Sequence, residues 1–74
     1  GIVAISDSMV ITAGKLLEAL VNDSHELVTV IEGEGATPTT TRWITQFLGE
    51  ERPGVAVEVH HGGQPLYPYL FGIE

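Results

Sequence analysis

His60 and His61 stand side by side two residues after Glu58, at the head of the run His60-His61-Gly62-Gly63-Gln64-Pro65-Leu66-Tyr67-Pro68-Tyr69. Two imidazoles and a carboxylate invite a zinc or general-base reading. Adjacent side chains on an extended backbone point to opposite faces, so His60 and His61 do not chelate one ion together. His25 lies in a separate turn, and no cysteine, H-x-H or H-E-x-x-H spacing supplies the three or four ligands a zinc site needs. A general base needs a nucleophile to serve, and Ser6 and Ser8 read as helix caps. Gly33-Glu34-Gly35 is glycine-rich but carries an acid and no following lysine, a poor cradle for phosphate. Trp43 falls on the apolar face of a helix and is expected in the core. These residues yield no catalytic constellation and no metal site.

The run from His61 onward carries a different chemistry. Gly62 and Gly63 allow positive φ and close approach of other backbone. Pro65 and Pro68 stiffen the exit, and Tyr67 and Tyr69 offer rigid amphipathic surface of the kind enriched at interfaces. His61, Gly62, Gly63, Gln64, Pro65, Tyr67 and Tyr69 are therefore the candidate partner-binding residues. The plainer alternative is a tight connection followed by core tyrosines.

Composition narrows the partner. Ten acidic residues against three basic ones (Lys15, Arg42, Arg52) give a net charge of −7 with neutral histidines. Such a surface repels phosphate backbones and anionic membranes, which argues against nucleic-acid and membrane-surface roles. No apolar stretch has the length of a membrane span or the flanks of a signal peptide, so a cytoplasmic location is expected. Seventy-four residues make one domain near the lower size limit for a single core, and no disulfide can reinforce it. Docking onto a neighbouring domain or a second copy, as a homodimer, would.

The elements that must position the motif follow from periodicity. Gly1–Ile5 is a short β-prone run, beginning without a start methionine, as a segment of a longer chain would. Ser6-Asp7-Ser8 precedes a helix over Met9–Val21, its first half weakened by Val10-Ile11-Thr12 and Gly14. Leu27–Ile31 is apolar at nearly every position, the pattern of a strand covered on both faces. Thr37 and Pro38 form an N-cap and first-turn pair for a second helix bearing Thr40, Trp43, Ile44, Phe47 and Leu48 on one face, which Gly49 through Gly54 end. Val55–His60 alternates, with Glu58 and His60 on the outer side. The last strand carries Tyr67, Tyr69, Phe71 and Ile73 on one side, with Pro68 at an edge, a bulge or the start. The fold class is thus α/β, a two-layer α+β arrangement in which a β-α-β-α-β-β chain makes a mixed sheet with two helices on one face. Its helix-linked strands are parallel and its last strand antiparallel.

Three stretches together resemble one family: Gly1–Ile5, Glu26–Glu34 and, most specifically, Val57-Glu58-Val59-His60-His61-Gly62-Gly63-Gln64-Pro65-Leu66-Tyr67-Pro68-Tyr69-Leu70. They are similar to the C-terminal end of bacterial dihydroxyacetone-kinase-like proteins of the fatty acid kinase type. The resemblance implies that residues 1–74 are a single C-terminal domain of a longer kinase-related protein. It implies that ATP and magnesium bind a separate N-terminal domain, with no cofactor in this segment. It also implies a DegV-type fatty-acid-binding protein as partner, alongside the rest of the same chain. A weaker likeness links the tail to the DegV fold itself, where Tyr67-Pro68-Tyr69 replaces a histidine-threonine-glycine run. The role so implied is a non-catalytic module that helps the ATP-binding part dock its acyl-carrying partner or dimerise. The alternative is a small substrate-binding or catalytic contributor using the His-Gly-Gly-Gln turn.

Overall fold

A computed structural model describes all 74 residues. The elements are β1 (Ile2–Ile5), a 3-10 turn (Asp7–Thr12), α1 (Ala13–Leu20), β2 (Leu27–Glu32), α2 (Pro38–Glu51), β3 (Ala56–His61) and β4 (Tyr69–Ile73). The sheet order is β1-β4-β2-β3, with β2 and β3 parallel and β4 antiparallel to both β1 and β2. The β-α-β-α-β-β order and the mixed sheet are as read from the sequence. β4 does more than join beside one strand: it inserts between β1 and β2 and occupies an interior position.

Alternation sorts the strands into two faces. Val3, Ile5, Val28, Val30, Val57, Tyr69, Phe71 and Ile73 share one core with Leu17 and Val21 from the α1 region and Ile44 and Leu48 from α2, so both helices cover the same side. Tyr69 and Phe71 lie two apart on β4 with parallel rings, centroids 6.1 Å apart, and fill the middle of that layer. The other face carries Ile2, Ala4, Leu27, Thr29, Ile31, Leu70, Glu58 and His60 with no helix over it. The apolar outer positions of β2 and β4 account for the two-sided hydrophobicity of these strands.

Local chemistry explains the helix boundaries. The expected helix over Met9–Val21 is divided, with a 3-10 stretch to Thr12 and regular α-helix only from Ala13. Three consecutive β-branched residues crowd the α-helical turn, and the Thr12 hydroxyl bonds back to the Met9 carbonyl at 3.2 Å. Ser6 occupies the cap position but its hydroxyl pairs with Ser8 at 3.1 Å instead of capping an amide. α2 begins as read: Thr37 accepts from the Thr40 amide at 3.1 Å and Pro38 fills the first turn. It ends within the expected 49–54 stretch, at Glu51, where Pro53 disfavours helical backbone for the residue before it.

Trp43 departs from its expected place. It is 46% exposed, resting on the bare backbone of Gly14 and stacked on Phe47 with centroids 5.6 Å apart. It serves the seam between the helices, whereas Ile44 and Leu48 reach the sheet. Val59 is also 40% exposed, because β3 is an edge strand and the helices do not extend over its outer flank.

Arg52 ties the two helices together. Its Nε donates to the Val21 carbonyl at 2.9 Å and a terminal nitrogen donates to the Glu18 carbonyl at 3.1 Å, satisfying the free carbonyl end of α1 with a positive charge. Charged hydrogen bonds contribute about 1.5–3 kcal/mol. Arg52→Met is expected to lower unfolding free energy by roughly that amount in urea titration, and Arg52→Lys to recover only part, since an ammonium lacks the planar fork that spans two carbonyls.

Candidate functional site

The α2 crossover returns the chain to the same sheet, so β2 and β3 end side by side, level at Glu32 and His61. The carboxyl ends of parallel strands, beside the start of the crossover helix, are where α/β folds open a crevice. Here it is a cleft of about 300 Å³ lined by Glu32, Gly33, Ala36, Pro38, His61 and Gly63.

Glu32 organises this end. Its side chain is only 13% exposed, and each carboxylate oxygen has a partner. One oxygen accepts from the Thr41 hydroxyl. The other lies 2.6 Å from Nδ1 of His61. The Thr41 oxygen is in turn 2.7 Å from the Tyr69 hydroxyl, which lies 3.3 Å from the Thr37 carbonyl. Thr41 has one proton and gives it to the carboxylate, so the Tyr69 hydroxyl donates to Thr41 and reaches Thr37 as a weaker second acceptor. The relay therefore runs from Tyr69 through Thr41 to Glu32 and His61. No buried side-chain polar atom in the chain is left without a partner. With Nδ1 held by Glu32, the imidazole turns Nε2 toward solvent, where it can accept or donate a hydrogen bond. The cleft lining has no lysine or arginine, which does not fit a nucleotide's phosphates.

The candidate residues of the sequence divide over this site. The amides of Gly62 and Gly63 both donate to the Glu32 carbonyl, at 2.8 and 2.9 Å, turning the chain back on itself, with Gly63 at φ +69°. Gln64 is an internal pin: its amide nitrogen donates to the carbonyls of Ile31 at 3.2 Å and Tyr67 at 3.3 Å. The Glu34 amide bonds the Gln64 carbonyl at 2.9 Å and the Gly33 amide bonds the Pro68 carbonyl at 2.7 Å. A Cβ on Gly33 would stand 2.6 Å from the Gln64 carbonyl and closer still to that of Tyr67, so this approach requires glycine. Pro65 and Leu66 form the exposed tip, Leu66 at 81%. Tyr67 is 40% exposed and precedes the strand, whereas Pro68 and Tyr69 are buried. The two tyrosines thus face different surroundings, although the sequence put them on one side of one strand. His60 is turned away from His61, 3.2 Å from Glu58 on the uncovered face.

Sequence reasoning missed Glu32, Thr41 and Thr37. The available signal was an acid closing an apolar strand just before a crossover helix, in register with a histidine closing the next.

The segment from His60 to Tyr69 thus returns β4 to the sheet interior and seals the end of β2. The whole chain, residues 1–74, matches the model of the FakA-like C-terminal domain family of fatty acid kinase. The chain belongs to that family. Relatives include an uncharacterized protein of Staphylococcus haemolyticus, 38% identical over 73 residues, covering 99% of this chain and 13% of the relative. A Staphylococcus epidermidis protein is 44% identical over 59 residues, covering 80% of this chain and 11% of the relative. One from Staphylococcus aureus is 38% identical over 73 residues, covering 99% and 13%. The chain spans about 13% of the length of the curated relatives it matches. No helix of this FakA-like domain is long and apolar enough to cross a membrane.

The relay has a measurable weight. Thr41→Val keeps the shape but leaves the partly buried Glu32 and Tyr69 oxygens short of a partner, which costs about 1–3 kcal/mol. His61→Ala removes an exposed partner and is expected to change stability by less than about 1 kcal/mol. Urea unfolding of both variants measures the difference.

Proposed function

We propose that the chain is a non-catalytic docking domain, the C-terminal domain of a dihydroxyacetone-kinase-like protein of the fatty acid kinase type. Its rigid 62–68 loop engages an acyl-carrying partner of DegV type while ATP and magnesium are handled by another domain of the same protein. The observation that carries this reading is an apolar tip held on a fixed frame. Leu66 and Tyr67 are exposed, yet the loop bearing them is tied to β2 through the Gly62, Gly63 and Gln64 hydrogen bonds. Apolar groups on a preorganised backbone lose little conformational freedom when a partner covers them, which favours affinity. Family membership along the whole chain supports a place in fatty acid kinase chemistry.

A second reading is favoured by the Glu32–His61 pair. An imidazole oriented by a carboxylate at the mouth of a cleft can contact a substrate group directly. On that reading His61→Ala in the full-length protein lowers phosphoryl transfer while leaving partner affinity unchanged.

The docking reading separates the two tyrosines. In the full-length protein, Tyr67→Ala is expected to weaken partner binding by about 1–3 kcal/mol with little change in melting temperature. Tyr69→Ala empties a core position and loses the hydroxyl relay, so about 3–5 kcal/mol of stability is expected to go first. Calorimetric binding and thermal unfolding on both variants test this. Unchanged affinity in a folded Tyr67→Ala protein would reject the loop as the docking site.

A further inference from the structure

β3 is a six-residue edge strand whose outer side is unpaired. The amides of Ala56 and Gly62 donate to the Glu26 and Glu32 carbonyls, so the even-numbered residues of this strand turn their backbone groups to β2. By alternation, the N–H and C=O groups of Val57, Val59 and His61 point outward. Edge strands are usually blunted by proline, lysine, a bulge or short length. β3, Ala-Val-Glu-Val-His-His, has no proline, lysine or bulge and is as long as β2. β1, the other edge, has only four residues.

We propose that β3 pairs antiparallel with β3 of a second copy of this chain, about a two-fold axis through Val59. The register follows from charge and hydrogen-bonding parity. Outward-pointing residues must face one another, so three central registers are available. Setting Glu58 opposite Glu58 of the copy juxtaposes two carboxylates, and setting His60 opposite His60 juxtaposes two imidazoles. Setting Val59 opposite Val59 places each Glu58 opposite His60 of the other copy. Two opposed carboxylates repel, whereas a carboxylate opposite an imidazole N–H gains a cross-strand hydrogen bond. Within one chain Glu58 and His60 already meet at 3.2 Å on the uncovered face. Across the axis each carboxylate can take the imidazole N–H of the other copy's His60 in place of its own. The same register sets the exposed Val59 against its equivalent and Val57 against His61. The sequence Glu-Val-His is thus self-complementary about its centre, which selects a second copy over an unrelated strand. The product is a continuous eight-stranded sheet with the helices of both copies on one side. This inference does not rest on the docking role of the 62–68 loop, whose exposed tip, Leu66, lies outside the pairing strand.

Sedimentation of the 74-residue chain over a concentration series reads the proposal directly. The expected mass rises with concentration from 7.9 kDa toward twice that value. Val59→Pro removes an outward N–H that β2 does not use, and is expected to remain folded by circular dichroism and stay monomeric. His60→Glu faces Glu58 with another carboxylate and is expected to weaken association about tenfold or more, while the exchange Glu58→His with His60→Glu restores it. A chain monomeric throughout the series would overturn the proposal. So would a His60→Glu variant that associates as tightly as the native chain, an outcome independent of whether the proline variant folds.

Discussion

The backbone ladder of β4 is the constraint on which the rest of the structure depends. This strand is hydrogen-bonded on both sides, to β1 and to β2, and supplies Tyr69, Phe71 and Ile73 to the core. Without it β1 would have no neighbour in the sheet, and the core beneath the helices would lose three of its buried side chains. The chain reaches this central slot only because the segment after β3 folds back over the end of β2. Close approach at Gly33 and the Gln64 side chain make that return possible. The glycines and prolines of the motif are therefore explained first by topology, and the exposed tip is what topology leaves over.

Much of this was legible in the sequence where a single period dominates. The Thr37-Pro38 helix start and the opposite faces of His60 and His61 each express one local rule, and each holds. The strand at Val55–His60 forms as alternation predicts, but its inner face is only partly covered, Val59 being 40% exposed. Readings went astray where two preferences competed. Val10-Ile11-Thr12 carry helical spacing but β-branched side chains, and the outcome is a 3-10 turn. Trp43 has the spacing of a core residue, yet its ring lies over Gly14 and against Phe47 at the seam between the helices. Tyr67 and Tyr69 share a parity, but Pro68 delays the strand until Tyr69, so only the second tyrosine is carried inside. Glu32, Thr41 and Tyr69 are spread over three elements, and only the register of β2 with β3 and the rotation of α2 bring them together. Pairings of that range are set by tertiary geometry that no local window contains.

The stretch from His60 to Tyr69 builds the β3–β4 return and the cleft beside it. Its residues serve two ends at once: Gln64, Gly62 and Gly63 hold the frame, while Leu66 and Tyr67 are presented by it. A substitution in the first group would act on the fold itself, and one in the second only on the exposed surface.

The interior position of the last strand also governs how the chain acquires its structure. β2, α2 and β3 form a local unit that can assemble early, since a parallel pair with its crossover helix closes a short span of sequence. β1 pairs with residues about seventy positions away, Ile2 against Gly72, and can be fixed only after β4 has arrived. Non-local pairing of this kind slows folding, because loop-closure entropy must be overcome before the contacts stabilise anything. Within this domain β4 is synthesised after its partners, so the inner flank of β2 stays an open strand edge until residues 69–73 have emerged. The fold thus closes in one late step, with its centre as the last part to be made.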